Sequence, residues 1–234
     1  ADAEYNNDSD YGYLKRVVEP LLEADGRTRI DLVRDDAFAK PVVLPVEERA
    51  LYKRTIDAAG RERERVLVYV GHYRPNKGQL TFLRKLEPAT LGGFAVELFG
   101  VRPANNPRLL EMATTVDDDW DAIRAEIRTR FAPGQIVTHE DKIPHLDMMR
   151  RFATASGLVH YASSDRNPRV LYEALYFGLP LFVSIQSMPY VGLQCHKFVR
   201  LTDADAAPAA MNAELRSWLD YLDAKADQKT KMAS

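Results

Sequence analysis

The sequence predicts an α/β protein built on a doubly wound parallel sheet of the Rossmann-like kind. From Val66 onward, short apolar runs of strand length alternate with amphipathic stretches of helical length, the pattern of repeated βαβ units. Right-handed crossovers between such units place every loop that follows a strand on one edge of the sheet. Two of those loops, residues 71–78 and 163–167, concentrate Gly, Pro, Asn and charged side chains.

From the amino end, Leu14, Val17, Val18, Leu21 and Leu22 recur at helical spacing and predict an amphipathic helix despite Pro20, and Arg29-Ile30-Asp31-Leu32-Val33 reads as a strand. Two prolines make Lys40-Pro41-Val42-Val43-Leu44-Pro45 an extended connector, and Val46 to about Ala59 reads as a helix. The run Arg61-Glu62-Arg63-Glu64-Arg65 reads as a solvated turn. The alternation then predicts strand 66–70, helix 78–86, strand 94–99, helical stretch 107–130, strand 135–137, helix 143–155, strand 158–161, helix 168–177 and strand 181–184. Asn167-Pro168 has the order of an N-cap and first helical residue, and Gly178 ends that helix. Met211, Leu215, Trp218, Leu219 and Leu222 mark a closing amphipathic helix. The expected organisation is an N-terminal segment at 1–45, a Rossmann-like domain at 46–226 and a disordered Lys-, Asp- and Ser-containing tail at 227–234.

The chain has 234 residues, 46% hydrophobic and 28% charged, enough for one large globular domain. Its formal net charge of −2 gives no overall electrostatic reason to expect nucleic acid or an anionic membrane as partner. No apolar run approaches the roughly 18 residues of a membrane span, and the acidic start Ala1-Asp2-Ala3-Glu4 is unlike a signal peptide. Cys195 alone can form neither an internal disulfide nor a cysteine metal site, so cytoplasm or the cytoplasmic face of a membrane is the expected location.

Candidate chemistry lies in the two loops. Gly71-His72-Tyr73-Arg74-Pro75-Asn76-Lys77-Gly78 puts cations just before a helix start, where they and the helix-end N–H groups can neutralise a diphosphate. It is not a Walker loop, which needs G-x-x-x-x-G-K-[ST]. Asp165, before the next such helix, and Glu173, about two turns into it, can both face the crevice above the strand ends, where carboxylates suit sugar and ribose hydroxyls. Asp117-Asp118-Asp119 reads as a capping cluster rather than a magnesium site, and His145, His160 and Cys195-His196 lack zinc spacing. No metal ligand and no cofactor is expected.

Taken together, Val70-Gly71, Lys77-Gly78-Gln79 and Asp165-x7-Glu173-Ala174-Leu175 with Gly178-Leu179-Pro180 resemble the donor-binding half of a GT-B glycosyltransferase over about residues 66–200, nearest to the retaining group called family four. In that family a loop arginine and lysine hold the donor diphosphate, and an E-x7-E signature contacts the transferred sugar and the ribose. The resemblance implies Lys77 and Arg74 at the diphosphate, Asp165 at the sugar and Glu173 at the ribose. Gly71, Asn167, Arg169 and His139 complete the implied donor contacts. Three departures stand out. His72 occupies the usual arginine position, so Arg74 must substitute. Asp165 is a methylene shorter than glutamate. The glycine-rich turn is replaced by Arg166-Asn167-Pro168-Arg169, whose proline offers no N–H.

The implied activity is retaining, metal-independent transfer of a hexose from a nucleotide-diphosphate sugar, UDP- or GDP-linked foremost, to a glycan, lipid or small-molecule acceptor. Two such domains need roughly 300 residues or more, so the chain has room for one half, with residues 1–45 read as a remnant of the acceptor domain. The competing expectation is a noncatalytic nucleotide-binding or scaffold module, favoured by Asp165 and the missing glycine turn. A sugar-nucleotide epimerase shares the fold without a specific signal, and an NAD-binding domain lacks G-x-G-x-x-G after the first strand.

Overall fold

The computed structural model describes residues 63–102, 118–165, 168–187 and 198–233. The elements expected before residue 60 and the first part of the 107–130 stretch lie outside the described residues. The described elements are β1 (Glu64–Val70), α1 (Gln79–Lys85), β2 (Ala95–Phe99), α2 (Trp120–Arg130), β3 (Ile136–His139), α3 (His145–Thr154), β4 (Ala155–His160), α4 (Arg169–Tyr176), β5 (Leu181–Ser184), β6 (Val199–Thr202) and α5 (Pro208–Ala233). Short 3-10 turns lie at Pro75–Lys77, Pro88–Leu91 and Ile185–Ser187.

All strand pairs are parallel, in the order β3-β2-β1-β4-β5-β6. The order reverses between β1 and β4, which is the topological switch point of a Rossmann-like sheet. Alternation along the strands sorts side chains into two cores. Leu67, Tyr69, Val96, Leu98, Val159 and Phe182 meet α1, α2 and α5 through residues such as Phe82, Trp120, Leu215 and Trp218. Val68, Leu158, Leu181 and Val183 meet α3 and α4 on the opposite face through Met149, Phe152, Leu171 and Ala174. Helices therefore cover both faces, as a doubly wound sheet requires.

Several boundaries differ from the sequence expectation. Strand β1 begins at Glu64 and takes part of the charged run into the sheet. Arg63 donates to the carbonyls of Ala155 (2.9 Å), Phe177 (3.0 Å) and Gly178 (3.3 Å), while Arg65 pairs with Asp223 and lies over the Phe94 ring at 4.2 Å. These cations are fastened to neighbouring elements, so residues 63–65 are not a solvated turn. Strand β4 starts at Ala155 because its small residues admit α5: a Cβ on Gly157 would stand 2.5 Å from the Trp218 ring. Strand β6 went unpredicted, since four residues carrying Arg200 lack the pattern of a buried strand. Asp118 caps α2 through the Trp120 N–H at 2.7 Å, as the capping expectation required. Helix α4 starts at Arg169 with Pro168 at the N-cap, φ −71° and ψ 97°, so Asn167 is not the cap. Helix α5 continues to Ala233 through the segment expected to be disordered, whose Ala, Lys, Gln and Met favour helix. Among the described residues no helix is long and apolar enough to cross a membrane.

Candidate functional site

A cavity of about 510 Å³ opens at the carboxyl ends of β1, β2 and β4, over the switch point. The loop after β1 supplies Gly71, His72 and Lys77, the end of β4 and its loop supply His160 and Asp165, and α4 with its cap supplies Pro168, Val170 and Glu173. The loop after β3 adds Asp141, Lys142 and Ile143.

Glycine 78 makes this convergence sterically feasible. Its φ is +74°, and a Cβ there would lie 2.0 Å from the Tyr161 carbonyl oxygen, so the β1 loop can cross the end of β4 only with glycine at the crossing. Two buried side chains then fix the loop. Tyr69 donates its phenolic O–H to the Lys77 carbonyl at 2.6 Å and accepts the Tyr161 N–H at 3.0 Å. Gln79 donates from its amide to the carbonyls of Gly71 (2.8 Å) and His72 (3.2 Å).

On the cavity wall Lys77 Nζ lies 2.5 Å from Asp165 Oδ2, with side chains 22% and 13% exposed. His160, 1% exposed, brings Nε2 to 3.2 Å from the same oxygen, and its Nδ1 has no hydrogen-bond partner among the described residues. Burial alone would raise the Asp165 pKa. The His160 imidazole and the Lys77 ammonium outweigh it and hold the carboxyl at about 2. His72 moves the other way. Burial lowers its pKa against the pull of the Val101 carbonyl, and the Lys77 and Arg74 cations lower it further, so the ring is neutral at pH 7. Its Nδ1 lies 3.3 Å from the Val101 carbonyl, an acceptor, so that nitrogen carries the proton and Nε2 is left as an acceptor.

Phe99, Val101, Ile143, Met148 and Val170 add apolar wall to the same cavity. Phe99 stacks on His139 with centroids 4.3 Å apart and planes at 2°. A flat ring fits against such a wall in a cavity whose other lining residues include charged groups.

Of the residues singled out in the sequence, Lys77, Asp165, Glu173 and Gly71 meet on the cavity wall. Arg74 is half-buried in the β1 loop and is not among the lining residues, though its charge reaches His72. His139 ends β3 behind Phe99 and is not among the lining residues either. Asn167 and the Arg169 side chain lie outside the described residues. His160 was considered in the sequence only as a metal ligand. The signal that marks it is a titratable residue inside the apolar run Leu158-Val159-His160-Tyr161 that ends at the switch point.

No family model matches the sequence, and no curated protein matches it. Among solved structures the chain is similar to WaaG, a glycosyltransferase involved in lipopolysaccharide biosynthesis, at 17% identity and TM-score 0.50 over 80% of this chain and 46% of that one. It is similar to TarM at 12% identity and TM-score 0.52 over 73% of this chain and 31% of that one. It is also similar to the C-terminal domain of the glycosyl transferase group 1 family protein LpcC from Francisella tularensis, at 12% identity and TM-score 0.50 over 78% of this chain and 87% of that one. The chain thus spans less than half the length of the first two and most of the third. At these identities the likeness is one of fold, a single Rossmann-like domain of the kind that forms half of the GT-B architecture.

Proposed function

We propose that the chain is the donor-binding half of a glycosyltransferase, which binds a nucleotide-diphosphate sugar over the β1/β4 switch point and works with an acceptor-binding domain. The observation that carries this is the meeting of Lys77, Asp165 and Glu173, from three separate segments, on one cavity that also has apolar walls. Two of the similar structures, WaaG and LpcC, are described as glycosyltransferases, which supports the same assignment.

In this scheme the apolar wall takes the base, with UDP or GDP as the expected nucleotide, and Glu173 accepts hydrogen bonds from the ribose hydroxyls. Lys77 neutralises the diphosphate as its bond to the sugar breaks and negative charge grows on the leaving oxygen, in a site where burial strengthens each charge. Asp165 accepts hydrogen bonds from the transferred hexose. The acceptor hydroxyl attacks on the face from which the diphosphate departs and gives its proton to the leaving phosphate, so the configuration is retained with no protein nucleophile and no metal ion. The acceptor is a glycan, lipid or small molecule met on the cytoplasmic side. A noncatalytic nucleotide-binding module is the second reading, favoured by the pairing of Lys77 with Asp165 and by the buried Pro168, which presents no N–H at the cavity.

Calorimetric titration with UDP, GDP, ADP and their sugar conjugates tests the assignment. One base is expected to bind saturably, and Glu173→Ala and Lys77→Ala are each expected to weaken it by about tenfold or more, about 1.4 kcal/mol. No binding by any of them removes the donor site. Binding without any release of nucleotide from the bound sugar conjugate, in the presence of an acceptor domain, favours the noncatalytic module.

A further inference from the structure

We propose, resting on the donor-site assignment above, that His160 is a reserve cation for Asp165: when a bound diphosphate draws Lys77 away, His160 takes a proton from solvent and keeps Asp165 ionised. Donor binding is then coupled to proton uptake at a positioning residue beneath the site.

The geometry supplies both halves of the exchange. Lys77 Nζ and His160 Nε2 approach one oxygen, Asp165 Oδ2, at 2.5 and 3.2 Å. An ammonium held that closely by a carboxylate is largely neutralised, so engaging a diphosphate means loosening the pair. Asp165 would then be left with a side chain only 13% exposed and without its cation. His160 has the capacity to answer. Its Nδ1 is buried without a hydrogen-bond partner among the described residues, a costly arrangement for a polar atom, and its Nε2 already faces Asp165 at 3.2 Å. The incoming proton settles on the imidazole rather than the carboxyl, because an imidazole nitrogen is the stronger base. The step is a proton transfer from water to one ring nitrogen, with no bond to the ligand formed or broken.

Other titratable groups face this spot. On β1, the Tyr69 ring lies 6.2 Å from His160, and its phenol, engaged by two backbone groups, is pushed far above neutrality by burial. His72 and Lys77 line the cavity from the β1 loop, Glu173 from α4, and Asp141 and Lys142 from the loop after β3. Glu173 and Asp141 act in the same direction as the ligand's charge, Lys142 against it, and His72 is the other imidazole whose protonation must be read separately.

The test uses UDP-glucose, GDP-mannose and ADP-glucose, whose diphosphate diesters carry no titrating proton near neutrality. Calorimetry at pH 7.5 in buffers of different ionisation enthalpy is expected to show net uptake approaching one proton per site. Affinity should fall by up to tenfold per pH unit over the range in which binding takes up a proton. NMR of the histidine side chains should show His160 protonating on saturation while His72 is followed by its own resonance, and Asp165→Asn should abolish the His160 response. Lys77→Met removes the cation with no ligand present, and it should raise the His160 midpoint by about one unit. Binding without proton uptake at His160 overturns the coupling and leaves the donor site standing. Absence of binding removes the donor site and the coupling with it, while an unmoved His160 response in Lys77→Met overturns the reserve-cation role whether or not a donor binds.

Discussion

Asp165 keeps a charge in a place where burial opposes it, and the consequence is a measurable dependence of stability on pH. Its folded pKa, about 2, lies below the ordinary value of 3.8. The stabilisation is therefore complete above about pH 4 and is lost as pH falls toward 2, a contribution of about 2 kcal/mol. Asp165→Asn is expected to lower stability at pH 7 by that order and to flatten the profile between pH 4 and 2 in denaturant melts. An unchanged profile would remove Asp165 as its source. A second expectation concerns His72, neutral at pH 7 with its Nε2 unable to donate. His72→Arg supplies a fixed charge and a donor fork, and should tighten binding of the preferred nucleotide sugar at pH 7.5 by about tenfold; unchanged affinity by calorimetry would place residue 72 away from the phosphates. At this scale the sequence was informative wherever a residue's position depends on its place in a strand-turn-helix unit, as for Lys77 and Glu173, which both line the cavity. It was silent where the role depends on contact across the fold. Lys77 and Asp165 are 88 residues apart, and only the crossing at Gly78 brings them, with His160, to one oxygen.

The elements are held together by a few residues that local pattern misreads. Arg63 looked like part of a solvated charge run, yet its three carbonyl partners lie at the start of β4 and the end of α4. Arg63→Met keeps much of the stem and removes the guanidinium, and should cost about 2 kcal/mol in chemical denaturation. A loss near zero would return the residue to the surface role. Gly157 is the complementary case. Its missing side chain is the space that Trp218 of α5 fills, so Gly157→Ala should destabilise by about 1 to 3 kcal/mol. Pairing it with Trp218→Leu should cost less than the sum of the two single changes; simple additivity would show that the two do not touch. The strands and helices from β1 to β5 were legible because apolar residues recur along them at strand or helical spacing, even in β3, where Ile136 alone is buried. Strand β6 was not, because its place depends on backbone pairing with β5 rather than on any pattern in Val199-Arg200-Leu201-Thr202.

Across the whole molecule the candidate site sits where the sheet is best protected at its base and open at its rim. Strands β1 and β4 are central, each flanked by another strand on both sides, whereas β3 and β6 are the edges among the described strands. Amides in the middle of β1 and β4, at residues such as Leu67, Val68, Leu158 and Val159, should therefore exchange with solvent only by global unfolding, while the edge strands also exchange by local fraying. A ligand bound over the switch point ties the loop after β1 to the loop after β4 and to α4, and it meets the loop after β3 at residues 141–143 but not the edge strands themselves. At a sugar-nucleotide concentration about a hundredfold above its dissociation constant, global unfolding becomes costlier by about 2.7 kcal/mol. Exchange in β1 and β4 should then slow by about a hundredfold, the loops at 71–78 and 161–165 should gain protection, and amides of β3 and β6 that open locally should keep their rates. Equal slowing of the edge strands would mean that the ligand binds elsewhere or that the sheet opens only as a unit; unchanged rates in β1 and β4 would mean that the native state gains nothing from the nucleotide sugar.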